Sequence, residues 1–196
     1  KATIYFAHTT DIADINYVAS GAETRIINTP FTNIPAVQLL SNGSYHVMLT
    51  NAGAGYSRWR NIAVTRWRED GTCDNWGTFC YISDLDKKTY WSNTQQPACK
   101  KAEKYEAAFS QGRVDFHCAY HELETHTEIV VSPEDDIEMR RVIITNYAKV
   151  TRTIEVTSYA EVVLAPMASD LIQPGFSNLF VQTAILPDKH AIMCTR

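Results

Sequence analysis

A chain of 196 residues, 45% apolar and 20% charged, can bury roughly 70% of the surface its unfolded form exposes, and so needs no disulfide or metal to hold a core. Its 18 basic and 22 acidic side chains give a net charge of −4, which excludes a general nucleic-acid binder, since such proteins carry a basic field that displaces phosphate counterions. No window approaches 18 continuous apolar residues, so no stretch reads as a membrane-spanning helix.

The opening KATIYFAHTTDIADINY has neither an initiator Met nor a signal-peptide pattern, and Lys1 reads as an arbitrary cut. Residues 1–33 show weak periodicity and the breakers Gly21 and Pro30, so they read as a lead-in segment, in which Asp11 and Asp14 have no assignable partner. From residue 34 to 196 the pattern is two-residue alternation punctuated by turn signals, which predicts antiparallel sheet. In VQLLSNGSYHVMLT, Asn42-Gly43 predicts a type I′ hairpin turn that puts Tyr45, Val47 and Leu49 on one face. The same Asn42-Gly43-Ser44 fits a glycosylation sequon, but the turn explains it better.

TFCYISDLDKKTYW predicts a further hairpin. YEAAFSQGRVDF has helix-favouring residues, yet Tyr105, Ala107 and Phe109 alternate, Gln111-Gly112 turns, and Val114 and Phe116 return, so strand is preferred. IEMRRVIITN and RTIEVTSYAEVVLA predict two long strands, the first with a β-bulge at Arg140-Arg141 and the second with Ile154, Val156, Ser158, Ala160, Val162 and Leu164 on one face. NLFVQTAILPDKHAIMC predicts a last hairpin. The fold class is all-β, about ten to twelve strands in two packed sheets, with no long helix. Cys73, Cys80, Cys99, Cys118 and Cys194 are odd in number and irregular in spacing, which predicts free thiols and a reduced, cytoplasmic setting.

The conspicuous motif is GYSRWRNIAVTRWRED, with Arg58-Trp59-Arg60 and again Arg66-Trp67-Arg68. The first triplet follows the Gly/Ala-rich NAGAGYS, which predicts a loop. There an indole stacks on a pyranose face while guanidiniums donate paired hydrogen bonds to hydroxyls or phosphate. The second triplet predicts a strand whose Trp packs inward and whose arginines pair with Glu69, Asp70 and Asp74. In HCAYHELETHTEI the residues His117, Cys118, His121 and His126 invite a zinc reading. His117 and Cys118 must point to opposite faces, however, and His126 alternates with Glu122, Glu124 and Glu128, so an exposed mixed-charge strand is simpler and no metal ligand is assigned. The acids of SPEDD, residues 132–136, read as a solvated turn rather than as a catalytic carboxylate pair.

Read in order, PAVQLLSNGSYHVMLTNAGAGYSRWRNIAVTRWRED, WGTFCYISD, YWSNTQQP, SPEDDIEMRRVIITN and IEVTSYAEVVLAP resemble the N-terminal β-sandwich of glycoside hydrolase family 94, the cellobiose phosphorylase group, and most closely the module found in cyclic β-1,2-glucan synthases. The resemblance implies an antiparallel super-sandwich of the galactose-mutarotase type, cut short at Arg196, with a helical linker and an (α/α)6 barrel carrying the catalytic acid elsewhere in the parent. It implies transfer or phosphorolysis of β-linked glucose with inorganic phosphate as co-substrate and no other cofactor. The implied setting is a cytoplasmic module of a parent that resides at the inner membrane. The implied partners are a β-glucan, the barrel and a second copy of the chain, without nucleic acid or membrane contact by this segment. A sheet cut short also exposes an unpaired edge, which predicts self-association. The family's Gly-Tyr-Ser-x-x-Arg-Asp-like loop matches Gly55, Tyr56, Ser57 and Arg60, with Asn61 where relatives carry Asp; Trp91, Gln96 and Pro97 match a second signature. The carbohydrate-binding candidates are therefore Tyr56, Ser57, Arg58, Trp59 and Arg60, with no catalytic residue in the chain. The alternatives are a structural or dimerisation module without sugar contact, or an aldose mutarotase-like enzyme using His46, His117 and Glu128.

Overall fold

A computed structural model of the protein describes residues 3–7, 24–70 and 72–196; Asp11 and Asp14 lie outside them. Five strands form one sheet, in the order β12 (Glu138–Asn146), β11 (Leu123–Val131), β10 (Arg113–Tyr120), β9 (Lys104–Phe109) and β2 (Arg25–Ile27). The facing layer is made by two sheets. One runs β14 (Val162–Pro166), β6 (Ile62–Thr65), β5 (Gly55–Trp59), β4 (Tyr45–Thr50), β3 (Val37–Ser41); the other runs β13 (Ile154–Ala160), β7 (Thr78–Asp84), β8 (Thr89–Ser92). A fourth sheet joins β1 (Thr3–Ala7), β16 (Ala191–Thr195) and β15 (Gln182–Leu186), and two short helices, α1 (Met167–Ile172) and α2 (Pro174–Asn178), follow β14. All pairings among the described residues are antiparallel. The architecture is the expected all-β sandwich, with sixteen strands among the described residues, more than expected because β1 and β2 lie in the segment read as a lead-in and the predicted strand 154–164 is divided. β2 lies inside the segment read as a lead-in and pairs with β9.

The alternation read from the sequence builds the core. Tyr45, Val47 and Leu49 face Ala107, Phe109, Val114, Phe116 and Ile129 across the layers, and Ile82 and Trp91 meet Cys118, Tyr120 and Leu123 in a second cluster. Burying such side chains stabilises the fold by about 1.5–3 kcal/mol each. The strand reading of YEAAF is correct: Phe109 pairs Val114 and Ala107 pairs Phe116.

Three local expectations fail. At Asn42-Gly43 only Gly43 takes a positive φ, +98°. Asn42 instead accepts the Ser44 and Tyr45 amides on Oδ1 (3.0 and 2.8 Å), an Asx turn that serves the same hairpin. β12 keeps one register against β11 through Arg140-Arg141, so the bulge is not there. The strand 154–164 changes sheets: β13 pairs with β7, the chain turns at Glu161, and β14 pairs with β6 with a register shift between Val162 and Ala165, where Leu164 adopts φ +54°. All five cysteines are free; burial pushes the Cys118 thiol up to about 12, which makes it unreactive.

Candidate functional site

NAGAGYS and WSNTQQP, the two segments richest in the family's signature residues, meet in the interior. Asn93 replaces a strand residue: its Oδ1 accepts the Cys80 amide (2.8 Å) and its Nδ2 donates to Thr127 Oγ1 (3.1 Å). Asn51, Asn93, Thr94 and Gln95 are all buried; the loops hold each other through the Gln96 amide donating to the Ala52 carbonyl (3.0 Å), and Tyr105 on β9 donates to the Asn51 carbonyl (2.6 Å). Such partners offset the cost of burying polar groups, although Gln95 Oε1 and Trp91 Nε1 are buried here without one. Gly55 sends its amide to the Trp76 carbonyl (2.8 Å), and Thr50 donates to Asp74 (2.8 Å). Trp91 belongs to the second core cluster.

Arg58-Trp59 is not loop, as expected, but the end of β5. The chain turns at Arg60-Asn61, with Arg60 at φ +52°. Strand alternation therefore divides the five candidates between two faces. Ser57 and Trp59 face inward. Ser57 donates to Glu138 Oε2 (2.5 Å), which also accepts from Tyr45 (3.2 Å), while Arg140 holds the other oxygen of that carboxylate (2.5 Å). Trp59 packs on the core, donates its indole N–H to Asp136 (2.5 Å), and has the Arg60 guanidinium 4.7 Å from its ring centroid. Hydrogen bonds from Ser44 and then Trp59 hold the Asp136 carboxyl below its usual range. Asp136 is thus the tie of the β11–β12 turn to the neighbouring hairpins, within the solvated turn expected of SPEDD.

Tyr56 and Arg58 face outward. Tyr56 meets Trp67 edge to face at 5.8 Å between centroids, and Arg58 Nε donates to the Arg60 carbonyl (2.7 Å). The cleft bounded by Tyr56, Arg58, Arg66, Trp67, Met167 and Asp170 encloses about 10 Å³, room for no more than one water, so a sugar could meet only its rim. A larger groove of about 570 Å³ lies beside Tyr159, Glu161, Asn178, Thr183 and Ile192, and holds none of the five candidates.

The second triplet departs from expectation. β6 ends at Thr65, and Trp67 lies beside Tyr56 on the outer side rather than in the core. Arg66 is buried and binds acids distant in sequence, not Glu69, Asp70 or Asp74: Asp170 through Nε and Nη2 (3.0 and 2.8 Å), and Glu161 (2.6 Å). Arg68 reaches the same Asp170 (2.8 Å). Sequence reasoning missed Glu138, Glu161 and Asp170 because only tertiary proximity singles them out. His46, on the outer face of β4, bonds Ser41 (2.8 Å), whereas His117 and Glu128 lie on the outer face of the opposite layer, so these three do not converge as a mutarotase site needs. His117 points outward and Cys118 inward, as alternation requires; Glu122, however, lies in the turn before β11 at φ +68°.

A family model for the glycosyl hydrolase 94 supersandwich domain matches residues 22–196. The cyclic β-(1,2)-glucan synthase NdvB of Rhizobium meliloti (strain 1021) is 41% identical over 163 residues, which cover 83% of this chain and 6% of that protein. The N,N′-diacetylchitobiose phosphorylases of Vibrio proteolyticus and Vibrio furnissii are 26% and 25% identical, over 83% and 74% of this chain and 21% and 19% of theirs. The chain therefore spans a small part of each relative's length, and it belongs to the glycosyl hydrolase 94 supersandwich domain family.

Proposed function

We propose that this chain is the non-catalytic, carbohydrate-associated module of a larger enzyme of the cyclic β-1,2-glucan synthase and phosphorylase kind, one that transfers or phosphorolyses β-linked glucose. The likeness to NdvB over most of this chain carries the reading. In it, catalysis resides in an (α/α)6 domain of the parent, inorganic phosphate is the parent's co-substrate, and no metal or organic cofactor takes part. Of the five candidates, Tyr56 and Arg58 offer outward groups, and Trp67 joins them; Ser57 and Trp59 already have inward partners.

The test is twofold. With β-1,2-gluco-oligosaccharides and phosphate, the isolated chain is expected to release or consume no phosphate above the blank; turnover by the pure chain would overturn the non-catalytic reading. Titration of the same oligosaccharides against Trp fluorescence is expected to give a saturable change, weakened about tenfold by Arg58→Ala, the order expected for a hydrogen bond from a charged donor. A silent titration, or one unaffected by Tyr56→Ala and Arg58→Ala, favours the second reading, a module that only packs against other domains or a second copy. One observation supports that alternative: the Trp59 indole, packed on the core and overlain by Arg60, has no open face for a pyranose. Exposed Leu171, Ile172, Phe176 and Leu179 would then supply apolar surface for such packing, and light scattering over a concentration series measures it.

A further inference from the structure

The outer face of β10 and β11 carries a constellation that the functional reading does not use. Asp115 and His117 leave the same face of β10, as do His126 and Glu128 on β11. The register sets Asp115 opposite Glu128 and His117 opposite His126. His126 Nε2 lies 2.8 Å from Asp115 Oδ1 and 3.9 Å from Glu128 Oε1, and one ligand atom from each of the three lies within 4.8 Å of the others. His117 stacks on the His126 ring, 4.0 Å between centroids and 15° from parallel, which fixes the plane of that imidazole. Arg141 binds Glu128 Oε2 and so leaves Oε1 directed toward His126. The side chains of Asp115 and Glu128 are each 12% exposed, and that of His126 23%: shielded, yet open to solvent on one side.

We propose that Asp115, His126 and Glu128 form a binding site for a divalent transition-metal cation of the zinc class. One imidazole nitrogen and two carboxylate oxygens on adjacent strands make a three-ligand N/O set, with water completing the tetrahedron. The cation would take the place of the hydrogen bond that joins His126 Nε2 to Asp115, and any proton on Nε2 would leave to solvent. Arg141 would remain on the far oxygen of Glu128 and orient it, as outer partners of metal-bound carboxylates do.

Arg113 is the distinguishing feature. It binds Asp115 through Nε (2.9 and 2.7 Å) and Nη2 (2.6 Å), and its Nη2 also lies 3.1 Å from Glu128 Oε1. It therefore occupies with a fixed positive charge the position the cation would take. Its side chain is 32% exposed, so it can swing into water. A cation here would have to displace Arg113 from Asp115 and Glu128, so removing Arg113 is expected to strengthen binding at this site.

The test is titration of Zn²⁺ into the 1–196 chain by calorimetry, in a Cys73→Ser/Cys99→Ser background that removes the exposed thiols. One equivalent is expected, with affinity falling at least about tenfold in His126→Gln and in Asp115→Asn, the scale of loss when a metal site loses a supporting group. Arg113→Gln is expected to bind several-fold tighter. Asp115 is buried, so if its variant does not fold, His126→Gln and a Zn²⁺-dependent rise in the melting temperature of the parent chain carry the test. Zn²⁺ binding that is absent, or unchanged by His126→Gln, or not strengthened by Arg113→Gln, overturns the proposal.

Discussion

Asp170→Ala is expected to destabilise the fold by about 3–5 kcal/mol at neutral pH, because it strands a buried guanidinium without its paired carboxylate. Arg66 is 6% exposed and places two of its nitrogens on Asp170, tying α1 to the end of β6. Domains of this size hold a net stability of about 5–15 kcal/mol, so the loss removes a large fraction of it. Urea denaturation followed by circular dichroism measures it; a change below about 1 kcal/mol would show that Glu161 and Asn178 suffice for Arg66. The double replacement Arg66→Met/Asp170→Leu is expected to cost less than Asp170→Ala alone, since it leaves no unpaired charge inside.

The same pair gives a pH signature. Burial alone would push the Asp170 carboxyl up, but hydrogen bonds and charge from Arg66, with help from Ser177 and Arg68, bring it below its ordinary value. A carboxyl depressed in the folded state stabilises above its unfolded pKa of about 4 and loses that contribution as pH falls through the folded value. The stability gap between the parent chain and Asp170→Asn is therefore expected to be full at pH 7 and to shrink below about pH 4. A gap that grows on acidification contradicts the assignment.

The hairpins were legible because their signals are local. Gly43 and Gly112 follow Asn and Gln in apolar alternation, and period two fixes which of Tyr45, Val47, Leu49, Phe109 and Val114 turn inward. What was illegible depends on residues far apart in sequence. The alternation from Ile154 to Leu164 runs on through Glu161, yet β13 and β14 belong to different sheets, since Arg66 takes both the Glu161 carbonyl, through its amide, and the Glu161 carboxylate. Nothing local in WSNTQQP signals that Asn93 is buried; Cys80 and Thr127, whose bonds to its side chain make that burial tolerable, come from two other segments. The candidate site was legible as an Arg/Trp concentration but not as a geometry. The turn at Arg60-Asn61 decides that Trp59 faces Asp136 while Trp67 faces Tyr56, and nothing in the repeated triplet distinguishes the two indoles.

Gly55→Ala is expected to be the most damaging added methyl among the described glycines, at about 4 kcal/mol or more, or to prevent soluble folding altogether. Its Cβ would overlap the backbone carbonyl of Met48 on β4 and crowd the Leu49 Cα, the strand with which β5 pairs Leu49 to Gly55 and Met48 to Tyr56. Backbone in a paired ladder cannot yield as a side chain can, so relief requires parting β4 from β5. Gly53→Ala meets the Thr94 side chain and a φ of +91°, and the overlap extends to Thr94 Cβ, so Thr94→Ser is expected not to rescue it. Gly112→Ala, with open space around it, is expected to stay within about 0.5 kcal/mol and serves as the control. Thermal melts of the three variants rank them. A Gly55→Ala protein melting near the parent would mean that β4 and β5 can separate at this point. The expected order instead gives this signature glycine an architectural reason: it lets two strands close tightly enough to carry Tyr56 and Arg58 out on one face while Ser57 and Trp59 lock the other to Glu138 and Asp136. On that account a weaker oligosaccharide titration in a Gly55 variant would report the register of β5, and only Tyr56→Ala and Arg58→Ala test the proposed sugar contact itself.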